Sequence, residues 1–171
     1  MFLKLAVAAL VLIAPLSAGG LAGSLGGAAF APKVVKLMEA GGMQQDEASY
    51  DAWRLVFSSE DDIFAPQSVT VTVLVPRGRK LDGRAFRRLP DTPTGKQPSV
   101  AEGLPEVQGW SLENRPAGLK LSQVFTRGAN LKLEFGTRQG NKLPGKISLV
   151  VPGSEEAKAS SLVGDFVAEI E

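Results

Sequence analysis

From Trp53 to the end of the chain the apolar residues recur with a period of two. Trp53, Leu55 and Phe57 alternate with Arg54 and Val56. In SVTVTVLV, Val69, Val71, Val73 and Val75 fall on one face, with Thr70 and Thr72 on the other. LKLEF places Leu131, Leu133 and Phe135 inward and Lys132 and Glu134 outward. Ile147, Leu149 and Val151 share one side of KISLVV, and Phe166, Ala168 and Ile170 alternate with Val167 and Glu169. Alternation of this kind marks strands with one buried face. VQGWSL (107–112) and LKLSQVF (119–125) show it more faintly.

Turn signals separate these runs: Pro76-Arg77-Gly78, Asn114-Arg115-Pro116, Arg138-Gln139-Gly140-Asn141 and Pro152-Gly153-Ser154. About seven short strands with no alternating long helices predict an all-β domain, an antiparallel β-sandwich of Ig-like or similar type. The domain is expected over residues 50–171, with Val107 onward forming a meander of hairpins. Pro76 to Pro105, rich in Arg, Pro, Gly and Thr, reads as a long loop or as an irregular edge strand near Arg84–Leu89.

The pattern before residue 50 is different. PKVVKLMEA begins at Pro32 and ends at Gly41-Gly42, which predicts a short helix followed by a polar linker, together residues 32–49. Upstream, Leu5–Ala14 is an unbroken apolar run after Lys4, interrupted by Pro15 and followed by small residues. This is the layout of a secretory signal, with a cut tolerable after Ala18 and better after Ala22, while one after Ala31 is disfavoured by Pro32. Residues 5–31 also carry no charge and are long enough to span a bilayer, so residues 1–31 read as a signal peptide or an N-terminal membrane anchor. In the anchor reading Gly19, Gly23 and Gly27 form a small-residue strip for helix packing and self-association. Both readings place the main domain outside the cytoplasm, in the periplasm or secreted.

Composition then narrows the chemistry. The chain has 171 residues, no Cys and no His. That excludes disulfides, thiolate and imidazole nucleophile systems, and most transition-metal sites. No S-x-x-K motif and no phosphate-binding loop occur. No metal site and no cofactor are predicted. Glu60, Asp61 and Asp62 are contiguous and lack the spacing of a calcium loop. They read as a solvated turn, or as partners for the cations that follow. Glu102, Glu106 and Glu113 are the acids from which a glycosidase-like pair would have to be drawn, and their spacing favours no such geometry.

A net charge of +1 gives no global attraction to nucleic acid, and no nucleic-acid partner is expected. One local run stands out. RGRKLDGRAFRR carries six cations in twelve residues, Arg77, Arg79, Lys80, Arg84, Arg87 and Arg88, against Asp82 alone. Arginine forks suit carboxylates and phosphates, so these residues are the candidate contact for an anionic partner. The competing reading is that they keep a loop solvated and guard a sheet edge. Trp110, flanked by Gly109 and Ser111, is the candidate aromatic contact, while Trp53 shares its face with Leu55 and Phe57 and reads as core. The function these features predict is a non-catalytic cell-envelope binding or assembly module whose partner is a protein or an anionic envelope component. The alternatives are a periplasmic binder of a glycan or small anion and, further off, a carboxylate-dependent hydrolase.

Overall fold

A computed structural model of the chain describes residues 20–45, 48–62, 65–89, 106–115, 118–125, 128–153 and 158–171. Among them there is no helix, so none is long and apolar enough to cross a membrane. The strands are β1 (Ala22–Leu25), β2 (Ala28–Phe30), β3 (Val34–Gln45), β4 (Ala48–Ser58), β5 (Gln67–Pro76), β6 (Ala85–Arg88), β7 (Glu106–Arg115), β8 (Gly118–Phe125), β9 (Asn130–Phe135), β10 (Lys142–Val151) and β11 (Ser160–Ile170). All eleven belong to one continuous sheet ordered β6-β9-β10-β11-β3-β4-β5-β7-β8, with the β1–β2 hairpin attached to β11.

Each strand expected from the alternation is present, including the edge strand at Ala85–Arg88. Two expectations about the architecture need correcting. The pairing does not divide into the two antiparallel sheets of an Ig-like sandwich. It is mixed, because β11 runs parallel to β3 through Glu169↔Lys36 and Ile170↔Leu37. That short junction joins two antiparallel meanders, β9-β10-β11 and β3-β4-β5-β7-β8.

The second correction is the short helix at Pro32–Ala40, which is absent. Residues 34–45 form β3, and β4 begins at Ala48, where a polar linker was expected. Val35 and Leu37 are the inward positions, and Leu37 is buried. Gly41-Gly42 is no helix stop. It lies at the register shift between Glu39 and Gly42, where Gly41 takes a φ of 96°. Some β-bulges place a residue at positive φ, and glycine enters that region without a Cβ penalty. Pro32 precedes the strand, where its missing N–H costs no ladder bond.

Gly23 and Gly27 do not lie on a helix either. Gly23 is in β1, and Gly26-Gly27 is the two-residue turn to β2, with φ values of 59° and 79°. Positive φ at both central positions is the turn that matches strand twist in a tight hairpin. Gly19 lies outside the described residues. At Gly23 a Cβ would collide with the Ser161 carbonyl, so the absence of a side chain is what lets β1 lie against β11.

The inward faces of both meanders form one core. Phe57 of β4 meets Phe166 of β11 edge-to-face at 5.3 Å between ring centroids. Phe166 then meets Phe135 at 6.1 Å, and Phe135 meets Phe86 of β6 at 6.0 Å. Edge-to-face rings place the positive rim of one against the negative face of the next. Phe166 also lies over Gly145, where a Cβ would strike its ring. The β1–β2 hairpin adds Leu25 and Phe30 to this core, and β1 touches β7 as well as β11.

Candidate functional site

The segment Arg77–Arg84 leaves β5 and returns to the sheet as β6. It is pinned along its length. Asp51 of β4 accepts a hydrogen bond from the Gly78 N–H at 2.9 Å and pairs with Arg77 at 3.6 Å. The Arg77 guanidinium lies over Gly42. Leu81 is buried in the core, and the Arg84 side chain donates to the Lys80 carbonyl at 2.6 Å. On the far side Asp82 accepts from the Arg138 backbone N–H at 3.0 Å, and the Gly83 N–H donates to the Gly136 carbonyl. Loop 77–84 is thereby locked against the turn at 136–141.

These contacts divide the six cations by role. Arg77 and Arg84 hold the loop together. Arg87 and Arg88 stand on β6, which ends the sheet among the described strands, and Arg88 has an interaction of its own. Positive charge on such a strand opposes pairing with a second sheet. Across from Ala85, the carboxyl of Glu134 is held below the usual glutamate range, first by its hydrogen bond to Lys132. Arg79 and Lys80 are exposed and carry no ion pair among the described residues.

Beneath them is a groove of about 380 Å³. Its apolar lining is Leu37, Trp53, Leu81, Leu143 and Ile170. Arg79, Lys80, Asp82 and Arg138 supply its charges. The groove opens where β3 and β11 meet for only two residue pairs. β3, β4, β10 and β11 each present one apolar residue there, Leu143 and Ile170 from near the ends of their strands and Trp53 from the middle of β4. Arg138 was visible in the sequence only as part of a turn. Its Nε donates to the Gly140 carbonyl at 2.8 Å, which orients the guanidinium at the rim.

Trp53 was expected in the core and does pack against it, half-buried. It also lines the groove, and its indole N–H is buried without an acceptor among the described residues. Trp110, the expected aromatic contact, is half-buried on β7 beside the register shift at Gly109 and takes no part in the groove. Asp61 pairs with Lys36 at 2.8 Å rather than with the basic run. Among the described residues no cluster of Asp or Glu could hold a metal ion. Glu102 and the side chains of Glu106 and Glu113 lie outside the description. The groove lining offers one carboxylate, Asp82, and no hydroxyl, thiol or imidazole.

The chain matches no known protein family, no curated protein and no solved structure.

Proposed function

We propose that this protein is a non-catalytic binding or assembly module of the cell envelope, exported or membrane-tethered, and that it engages an anionic partner through the cationic end of its sheet. The observation that carries this reading is the pair Arg79 and Lys80, exposed and without an ion pair among the described residues, on a loop pinned by Asp51, Leu81 and Asp82. A surface already held in place spends little conformational entropy on binding. The groove lining supports binding over turnover, because it sets no hydroxyl, thiol or imidazole beside Asp82 and Lys80. The signal-like start, with its apolar run at Leu5–Ala14, supports the envelope location.

The test is the double substitution Arg79→Gln/Lys80→Gln in cells, with in-cell crosslinking and fractionation as readouts. The expected result is loss of the crosslinked partner species from a chain that still accumulates. Unchanged crosslinks and unchanged fractionation in a folded variant would sink the reading. A second reading, a binder of a small free ligand, is favoured by the groove itself.

A further inference from the structure

We infer that the groove under the basic loop is a binding site for a free, single-chain anionic amphiphile, a short apolar tail carrying one carboxylate or phosphate head. The inference rests on the reading of Arg79 and Lys80 as the anion-contacting cations. It adds the ligand's chemical class and its seat.

Three observations converge. The first is the division of the groove into an apolar wall and a charged rim. Leu37, Leu143 and Ile170 come from three strands, and Trp53 adds an indole face. A fully polar ligand would leave that wall uncompensated, and a hydrocarbon alone would leave the rim unused. The second is the balance of charge. Arg79, Lys80 and Arg138 face one carboxylate, Asp82, which already accepts the Arg138 backbone N–H. An anionic head therefore meets an excess of positive charge with one guanidinium already oriented by Gly140. The third is the buried indole N–H of Trp53, a donor without an acceptor among the described residues, on a side chain that lines the same groove. Buried donors are almost always satisfied, so an orphan at a cavity calls for an account. The atom is closed to solvent, so a head-group oxygen becomes its acceptor only when the indole turns toward the groove on binding.

Size selects the tail. At about 380 Å³ the groove lies near the lower end of small-molecule sites, which run from about 300 to 1,000 Å³. It has room for one short chain and not for the two chains of a bilayer lipid.

The experiment uses the full chain carrying Trp110→Phe, which leaves Trp53 as its sole tryptophan, with octyl phosphate as the probe. Octyl glucoside has the same tail without the charge, and inorganic phosphate has the charge without the tail. Octyl phosphate is expected to change Trp53 emission saturably and to move its indole N–H resonance, while the other two do neither. Arg79→Gln/Lys80→Gln should weaken octyl phosphate binding about tenfold. The inference is overturned if octyl glucoside binds equally well, if inorganic phosphate alone reproduces the response, or if octyl phosphate gives no saturable change. A parallel titration with phosphatidylglycerol vesicles separates the two proposals. Vesicle binding that depends on Arg79 and Lys80, with no response to octyl phosphate, keeps the cationic contact surface and removes the groove as its seat. Failure of both arms removes both.

Discussion

The two ends of the core are built from the same strands and finished differently. Along β11 the inward positions run from Leu162 through Phe166 and Ala168 to Ile170, and along β10 from Val151 through Leu149 and Ile147 to Leu143. At the Leu162 end the β1–β2 hairpin closes the core with Leu25 and Phe30, both about fully buried. It is fastened there by polar contacts: the Ser160 hydroxyl accepts from the Gly26 N–H at 2.9 Å, and the Gly27 N–H donates to the Ala159 carbonyl. At the Ile170 end no such plug exists among the described residues. The covering segment is a cationic loop that buries Leu81 and leaves a groove beside it. Alternating strands alone do not decide whether a core is sealed. What covers the ends decides it, and here one end is sealed by a hairpin and the other is left open as a groove.

Breaking the closed end should have the largest effect. Phe30→Ala removes a ring that is 1% exposed and is expected to cost about 3–5 kcal/mol by urea denaturation. Gly23→Val should be comparably damaging, because its side chain meets the Ser161 backbone rather than a side chain that can turn away. The same geometry bears on processing. A chain beginning at Pro32 lacks both strands of the hairpin and should lose cooperative unfolding, whereas one beginning at Gly20 should unfold as the full chain does. Equal stability of the two truncations would show that the hairpin is not part of the core.

The middle of the core sits between these extremes. Gly145→Ala places a methyl group against the Phe166 ring and the Glu134 carbonyl. Overpacking of this kind costs about 1–3 kcal/mol. At the open end the expectation reverses. Trp53→Phe loses an indole that is only half-buried and removes a donor with no acceptor among the described residues. It should change stability by under about 1.5 kcal/mol while weakening octyl phosphate binding read by calorimetry. A loss as large as that of Phe30→Ala would show that the groove end is as much a packing site as the hairpin end.

The contrast between the ends also explains what the sequence revealed. The meander β9-β10-β11 and the strands β4 and β5 were legible because each carries three or more inward apolar residues at strict spacing, as in Val69–Val75. In β3 only Val35 and Leu37 mark the inner face, and outward Val34 and Met38 blur the alternation. Pro32 and Gly41-Gly42 then imitated helix boundaries. The β1–β2 hairpin was hidden more deeply. Its turn signal, Gly26-Gly27, sits inside a run of glycine and alanine whose small side chains show no period. The site was half visible. Arg79 and Lys80 stood out as charges, but the groove draws residues from β3, β4, β10 and β11, which meet only through the parallel β11–β3 junction. Local periodicity carries no record of a pairing between residues so distant in the chain, and Arg138 therefore looked like an ordinary turn residue.

That junction offers the finest test of the comparison, and the smallest in effect. Lys36 of β3 reaches Asp61 and the Glu171 side chain, each at 2.8 Å, and so ties the end of β11 to β3 beside the groove. The hydrogen bond to Asp61, followed by that to Glu171, holds the Lys36 ammonium above the ordinary lysine pKa. A raised pKa in the folded state means that the native protein keeps this proton more tightly than the unfolded chain does. The contribution is then fully present below the unfolded lysine value of about 10.4 and is lost as pH rises through the higher folded value. All three side chains are substantially exposed, so the pair is a weak brace rather than a pillar of the fold. Lys36→Met should lower stability slightly, by an amount constant from neutral pH to about pH 10 and shrinking above it. If the gap between the two proteins instead stays flat through the alkaline range, the ammonium is not what holds β11 to β3. The junction would then rest on the parallel backbone pairing of β11 with β3 and on the bond from Glu171 N–H to the Leu37 carbonyl at 3.0 Å.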